Sequence, residues 1–311
     1  MRDLVLVHGR AQEDKDSKEL KEAWVSYWAE GLKKSGLKVP LKDDQIHFPY
    51  YGDTLDDLTE GKTPDEAAKV VVRGLLAPNE ADALPADEQR FIEEVLFETI
   101  ERDSGQIAVQ EVRQEIPHGK VIERSVLNKP WMRAIMQVLD RRMPGASAAS
   151  VALVTRDVYH YLTKAGVRMI IDDGFAQAMP KGKETVVVSH SLGTVVAYNA
   201  LLRHDGKEHW SVPYFMTLGS PLGVTVIKKT LEDLGSLKYP DPPVGKWLNA
   251  MDTSDYVALY PLDKKHFPVN GSGTIQNKLD VRNHTRNRHG IAGYLKDAEV
   301  AKWIYKAVTK N

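Results

Sequence analysis

The feature that most constrains this 311-residue chain lies near its middle: Val186-Val187-Val188-Ser189-His190-Ser191-Leu192-Gly193-Thr194-Val195-Val196. With Thr185, the three valines make a β-branched run, the strongest strand signal in the sequence. A helical apolar pattern begins at once and continues over residues 194–202. Only a short turn of mostly small residues separates the two. Such a turn projects the Ser191 hydroxyl out of the backbone at the end of a sheet and at the start of a helix. The positive end of the helix favours a developing anion at that point. The N–H of Leu192 is placed to donate to an oxyanion there.

The surrounding pattern says what kind of sheet this strand belongs to. Residues 4–7 are Leu-Val-Leu-Val, closed by His8-Gly9. A continuous apolar run of that length suits a strand buried on both faces. Leu20, Ala23, Trp24, Tyr27, Trp28 and Leu32 recur at helical spacing, and Gly36 is a stop. Residues 46–51, 214–218 and 246–251 read as further strands. Leu279 and Val281 alternate with polar neighbours as a last strand, and residues 298–308 form a final amphipathic helix. Strands separated by helices predict an α/β fold with a mostly parallel central sheet flanked by helices.

Between residues 53 and 145 the character changes. The stretch is highly charged, with helical pieces at 65–76 and 86–102. Trp131-Met132, Ile135-Met136 and Val138-Leu139 form an apolar stripe. The expected organisation is therefore a core built from 1–52 and 146–311, interrupted by a helical insertion at 53–145. The stripe needs something apolar to cover, so the insertion reads as a cap or lid over a cleft. Residues 146–178 read as mostly helical.

The strand, the turn Ser189-His190-Ser191-Leu192-Gly193 and the helix resemble the nucleophile elbow of α/β-hydrolases, whose motif is G-x-S-x-G. Ser189 stands in place of the first glycine. It is small, as that crowded position demands. The resemblance is to bacterial lipase- or esterase-like members, some of which carry a G-S-P-L-G loop like Gly219-Ser220-Pro221-Leu222-Gly223. It covers the first fifty residues and about 146 onward, and it implies that Ser191 is the nucleophile. It also implies that the His8-Gly9-Arg10 turn supplies a second oxyanion N–H, from Arg10, beside that of Leu192. Ser220 is the weaker serine, because Pro221 has no N–H to offer an oxyanion.

The same resemblance orders the partners as Ser, then acid, then His. Two acids follow the strand at 246–251. Asp255, before Tyr256-Val257-Ala258, looks like the D-P-V-A exit of lipase-like relatives and is preferred. Asp252 is the second choice, and the loser braces the turn. Two histidines precede the final helix. His289, followed by Gly290-Ile291-Ala292-Gly293-Tyr294-Leu295, is the first choice as base and His284 the second. His190 reads as a packing residue beside the nucleophile. The implied activity is cleavage of a carboxylic ester or thioester through an acyl-enzyme. A peptidase, amidase or acyltransferase shares the fold, and a low-turnover binding or signalling protein on a hydrolase scaffold is the alternative from another class.

Composition narrows the remaining classes. The chain has no cysteine, which removes disulfides, thiolate nucleophiles and Cys-based zinc sites. Forty-two Lys and Arg against 43 Asp and Glu leave a formal charge of −1, so no global basic field holds nucleic acid. Nothing approaches 18 consecutive apolar residues, so no membrane span is expected. Residues 4–7 are too short for the apolar core of a signal peptide, and the chain reads as cytoplasmic. His204-Asp205 and His209 lack the spacing of a metal site, and no metal or cofactor is expected. Gly271-Ser272-Gly273 reads as a turn rather than a phosphate loop. Arg282, Arg286, Arg288 and Arg10 read as solvated rather than as an anion site. The expected partner is a small-molecule or lipid acyl substrate.

Overall fold

The computed structural model describes residues 1–9, 17–51, 62–79, 81–104, 106–116, 129–143, 147–203, 209–235, 237–285 and 288–310. Its centre is a six-stranded sheet in which every pairing among the described residues is parallel. In chain order the strands are β1 (Asp3–Val7), β2 (Ile46–His47), β3 (Glu184–His190), β4 (Ser211–Leu218), β5 (Val244–Ala250) and β6 (Ile275–Lys278). In space they lie as β2-β1-β3-β4-β5-β6. β1 and β3 are thus neighbours despite the long stretch between them, with Val5 opposite Val187 and Leu6 opposite Val188.

The apolar runs explain the layers. Successive strand side chains point to opposite faces. Val5, Val7, Val187, Phe215 and Trp247 enter one core, and Leu4, Leu6, Val186, Val188, Met216 and Leu248 enter another. Three helices cover the second face: α1 (Ser17–Lys33), α10 (Ile291–Leu295) and α11 (Ala298–Thr309). They pack closely because α1 carries Gly31 at the crossing. A Cβ there would stand 2.3 Å from the Leu295 carbonyl oxygen and 2.8 Å from the Ala301 Cβ. The indole N–H of Trp28 donates to the Ala301 carbonyl at 3.0 Å across the same contact.

The first face is covered by a thicker layer. α8 (Leu192–Arg203) lies on β1 and β3, and α6 (Ala148–Thr163) and α7 (Ala165–Ala178) pack against it. Against α6 pack α2 (Pro64–Leu76), α3 (Ala86–Ser104) and α5 (Lys129–Arg142), with α4 (Gln106–Glu115) against α3 and α5. α9 (Thr225–Leu234) also meets α3 and α6. The two helical pieces read from the charged segment are α2 and α3. Reciprocal bonds fix the start of α2: Thr63 Oγ1 accepts from the Glu66 N–H, and the Glu66 carboxylate accepts from the Thr63 N–H. The apolar stripe of 131–139 lies on α5 and is buried in the same core as α2, α3 and α6.

Two strands differ from expectation. The second pairs with β1 only at Ile46 and His47. Pro49 follows and has no N–H to continue the ladder. The last strand is Ile275–Lys278, not the alternating pair after it. Pairing with β5 ends where Ala250 faces Lys278. Beyond that point Leu279 is 43% exposed while Val281 is buried. Their alternation reflects a segment leaving the sheet edge, held by one antiparallel bridge from Asp280 to Asp252.

The α1–α10 crossing yields a direct test. Gly31→Ala should destabilise the protein by about 1–3 kcal/mol, because the new methyl meets backbone that cannot swing away. Urea unfolding would read this as a lower midpoint at unchanged slope.

Candidate functional site

The site forms where β1, β3 and β5 end. Between β3 and α8 the chain turns through Ser191, whose φ of +55° is a left-handed conformation that non-glycine side chains rarely adopt. Such strain costs of order 1–3 kcal/mol and persists only where the surroundings impose it. Here they do. The Ser191 N–H donates to the Leu218 carbonyl at 3.2 Å, and its own carbonyl accepts from the Thr194 N–H at 2.9 Å and from Thr194 Oγ1 at 2.7 Å. Ser189 is fully buried, and its hydroxyl donates to the Met216 carbonyl. A Cβ on Gly193 would lie 2.4 Å from the His8 carbonyl oxygen. A Cβ on Gly9 would lie 2.7 Å from that of Ser191. Both positions must lack a side chain for the β1 exit and the turn to touch.

From this turn a hydrogen-bonded line runs inward. Ser191 Oγ is 2.8 Å from His289 Nε2, and His289 Nδ1 is 2.8 Å from Asp255 Oδ2. Asp255 is completely buried. Burial pushes its carboxyl up, but the charge and hydrogen bond of His289, with donors from Tyr294 and Val257, hold it below the ordinary carboxylate value. An ionised carboxylate only accepts, so the proton between the pair sits on His289 Nδ1. His289 Nε2 faces the Ser191 hydroxyl, and in the neutral ring it accepts from it.

Each member is braced. Asp255 Oδ1 accepts from the Val257 and Ala258 N–H groups at 2.7 and 3.1 Å. The Asp255 carbonyl accepts from Arg102 of α3 at 2.6 Å, and that guanidinium lies over the Tyr256 ring. The segment carrying His289 is tied by Asn283, whose side-chain amide donates to the Gly290 carbonyl and whose Oδ1 accepts from the Thr285 N–H and hydroxyl. His190 donates from Nε2 to the His289 carbonyl at 2.7 Å.

The sequence candidates fall into three groups. Ser191, His289 and Asp255 are brought together, and Leu192 heads α8, where the first N–H groups have no acceptor within the helix. Asp252 accepts from the Ser254 N–H and, at 2.8 Å, from the Asn283 N–H, so it ties the acid-bearing loop to the histidine-bearing one. His284 is exposed and lines a different cleft with Arg282. Arg282 and Arg288 are exposed. Arg10 and Arg286 lie outside the described residues, as do His204 and Asp205. Ser220 is turned toward Thr194, 2.8 Å from its hydroxyl, and receives the Leu222 N–H. Sequence reasoning missed Arg102, Asn283 and the hydroxyl of Tyr294, and saw in His190 only packing. Among the described residues no group of three or more His, Asp or Glu could hold a metal ion, and no helix is long and apolar enough to cross a membrane.

No protein-family model matches the chain, and no curated protein matches it in sequence. The fold and the Ser191–His289–Asp255 geometry therefore carry the functional argument.

The buried histidines give the site a pH signature. Burial lowers His8 to about 4, against a small opposing effect of the Gly9 carbonyl, and burial with the neighbouring His289 lowers His190 to about 3. Both are neutral when folded, whereas the unfolded chain takes up protons below about 6.5. Their contribution to stability is complete above that pH and declines as pH falls toward 4. The slope is about 1.4 kcal/mol per pH unit for each ring. Urea midpoints between pH 7 and 4.5 should fall accordingly, and His190→Gln should remove about half the slope. A flat midpoint over that window would mean the rings accept protons in place.

Proposed function

We propose that the protein is a serine hydrolase of the α/β-hydrolase fold that cleaves a carboxylic ester or thioester. The observation that carries this reading is the unbroken line from Asp255 through His289 to Ser191, with both contacts of the imidazole at 2.8 Å. The chain order Ser, Asp, His and the placement of each residue after a parallel strand support the fold assignment.

The chemistry follows from the tautomer. His289 Nε2 takes the Ser191 proton as Oγ attacks the carbonyl carbon. The imidazolium that results is stabilised by the Asp255 carboxylate, which keeps its own charge. Negative charge on the former carbonyl oxygen is held by the Leu192 N–H at the α8 terminus, and the resemblance implies a second such N–H from Arg10, which lies outside the described residues. One such donor is worth about 3–4 kcal/mol in the transition state. His289 returns the proton to the leaving oxygen or sulfur, and water resolves the acyl-enzyme by the reverse roles. Arg102 joins the helical segment within 53–145 to the acid loop.

A fluorophosphonate probe tests this without knowledge of the substrate. Intact mass should show one adduct on wild type and none on Ser191→Ala, and p-nitrophenyl esters of graded acyl length should then be turned over by wild type alone. Asp255→Asn should slow both by about 10⁴-fold, through loss of the required tautomer. A folded wild type that takes up no probe would replace the hydrolase reading with a binding protein on this scaffold. Arg102→Met should lower the labelling rate with the fold retained, since the hold on the Asp255 carbonyl and the cation over the Tyr256 ring are lost while the apolar stem remains. An unchanged rate would remove Arg102 from the site.

A further inference from the structure

Tyr294 is the largest buried polar group at the site to which the mechanism above gives no role. Its side chain is fully buried on α10. Its ring fills the space beside Gly219, where a Cβ would stand 2.9 Å from the ring edge. The hydroxyl donates to Asp255 Oδ2 at 2.6 Å, the same oxygen that receives His289 Nδ1–H at 2.8 Å. It also accepts from the Asp252 N–H at 3.2 Å. Burial and the Asp255 charge both raise the phenol well above its ordinary value, so it stays protonated and remains a donor.

Two donors on one carboxylate oxygen compete for the same charge. The stronger the phenol's claim, the less negative charge is left to stabilise an imidazolium at His289. Resting on the hydrolase reading, we infer that Tyr294 is a positioning residue that sets the basicity of His289 through Asp255 Oδ2. It does so without touching Ser191 or a substrate. Among the described residues the other titratable or charged groups facing this carboxylate are His190 at the end of β3, Asp252 on the same loop and Arg102 from α3. His190 is neutral, the Asp252 carboxylate is bonded to the Ser254 and Asn283 N–H groups, and Arg102 is committed to the Asp255 carbonyl. Tyr294 and His289 are thus two side chains whose donation falls directly on one oxygen of this carboxylate.

The test is Tyr294→Phe, which keeps the ring against Gly219 and removes only the hydroxyl. The fluorophosphonate labelling rate of Ser191 should be measured against pH, with the His289 ring titration followed by NMR in the same proteins. The acidic limb of labelling and the His289 midpoint should both move up by roughly half to one pH unit, because the imidazolium regains the charge the phenol had drawn. Replacing Tyr294 by 3-fluorotyrosine strengthens the donor at nearly constant shape and should move both down. This second variant covers the case in which the phenylalanine protein fails to fold. A rate lowered equally at every pH, with the His289 midpoint unmoved, would overturn the inference and leave Tyr294 as packing. Wild type that titrates at His289 but never labels would overturn the hydrolase reading instead, and the NMR midpoints of the variants would still decide the role of Tyr294.

Discussion

Much of the site depends on a close approach of two backbone turns at the C-terminal ends of neighbouring strands. The exit of β1 presses on the turn between β3 and α8. Gly193 lies under the Val7 and His8 carbonyls, and Gly9 lies against the Cβ of Ser191. The contact has no room for a methyl group on either side. It locks the left-handed backbone at Ser191 and aims the hydroxyl away from the sheet. Pairing of β1 with β3 in register brings the two turns to the same height, and the helical layers on both faces bury the interior runs of both strands. The long stretch between them in sequence does not disturb this, since loop length adds slowly to the entropy of closure.

The second constraint is electrical. A carboxylate taken fully out of water is costly unless its lone pairs are met. Asp255 meets that condition with two backbone N–H groups on one oxygen and an imidazole and a phenol on the other. Those four donors come from three separate parts of the chain: its own loop, the His289 segment and α10. Satisfying the charge therefore organises the loops around it. Asp252 does similar work one turn earlier, through the backbone of Ser254 and Asn283.

Much of this was legible from residue types. The valine run, the small residues around Ser191 and the helical spacing after it specify local geometry through sterics, which a sequence displays. β1, α2, α3 and α11 were legible for the same reason. The division of labour between Asp252 and Asp255 was read only through the resemblance of the segment after Asp255, not from residue type. Both are buried acids on one turn, and their roles depend on which carboxylate faces His289. Arg102 was hidden because its partner is a backbone carbonyl, which leaves no mark on composition. The last strand was misplaced because alternation at Leu279 and Val281 mimics a half-buried strand, whereas the hydrogen bonds to β5 end at Lys278.

The bond from Arg102 to the Asp255 carbonyl has a consequence for how this architecture could be altered. A helical decoration is commonly treated as an interchangeable module, replaced or trimmed to change what enters a cleft. In this chain α3 reaches the Ser191–His289–Asp255 line and holds the peptide that carries the acid. Grafting a different helical segment would leave Ser191, His289 and Asp255 all present, yet would remove one of the supports of their alignment. The helical layer and the core are thus joined at the acid loop, and a change to α3 is felt at the Asp255 peptide.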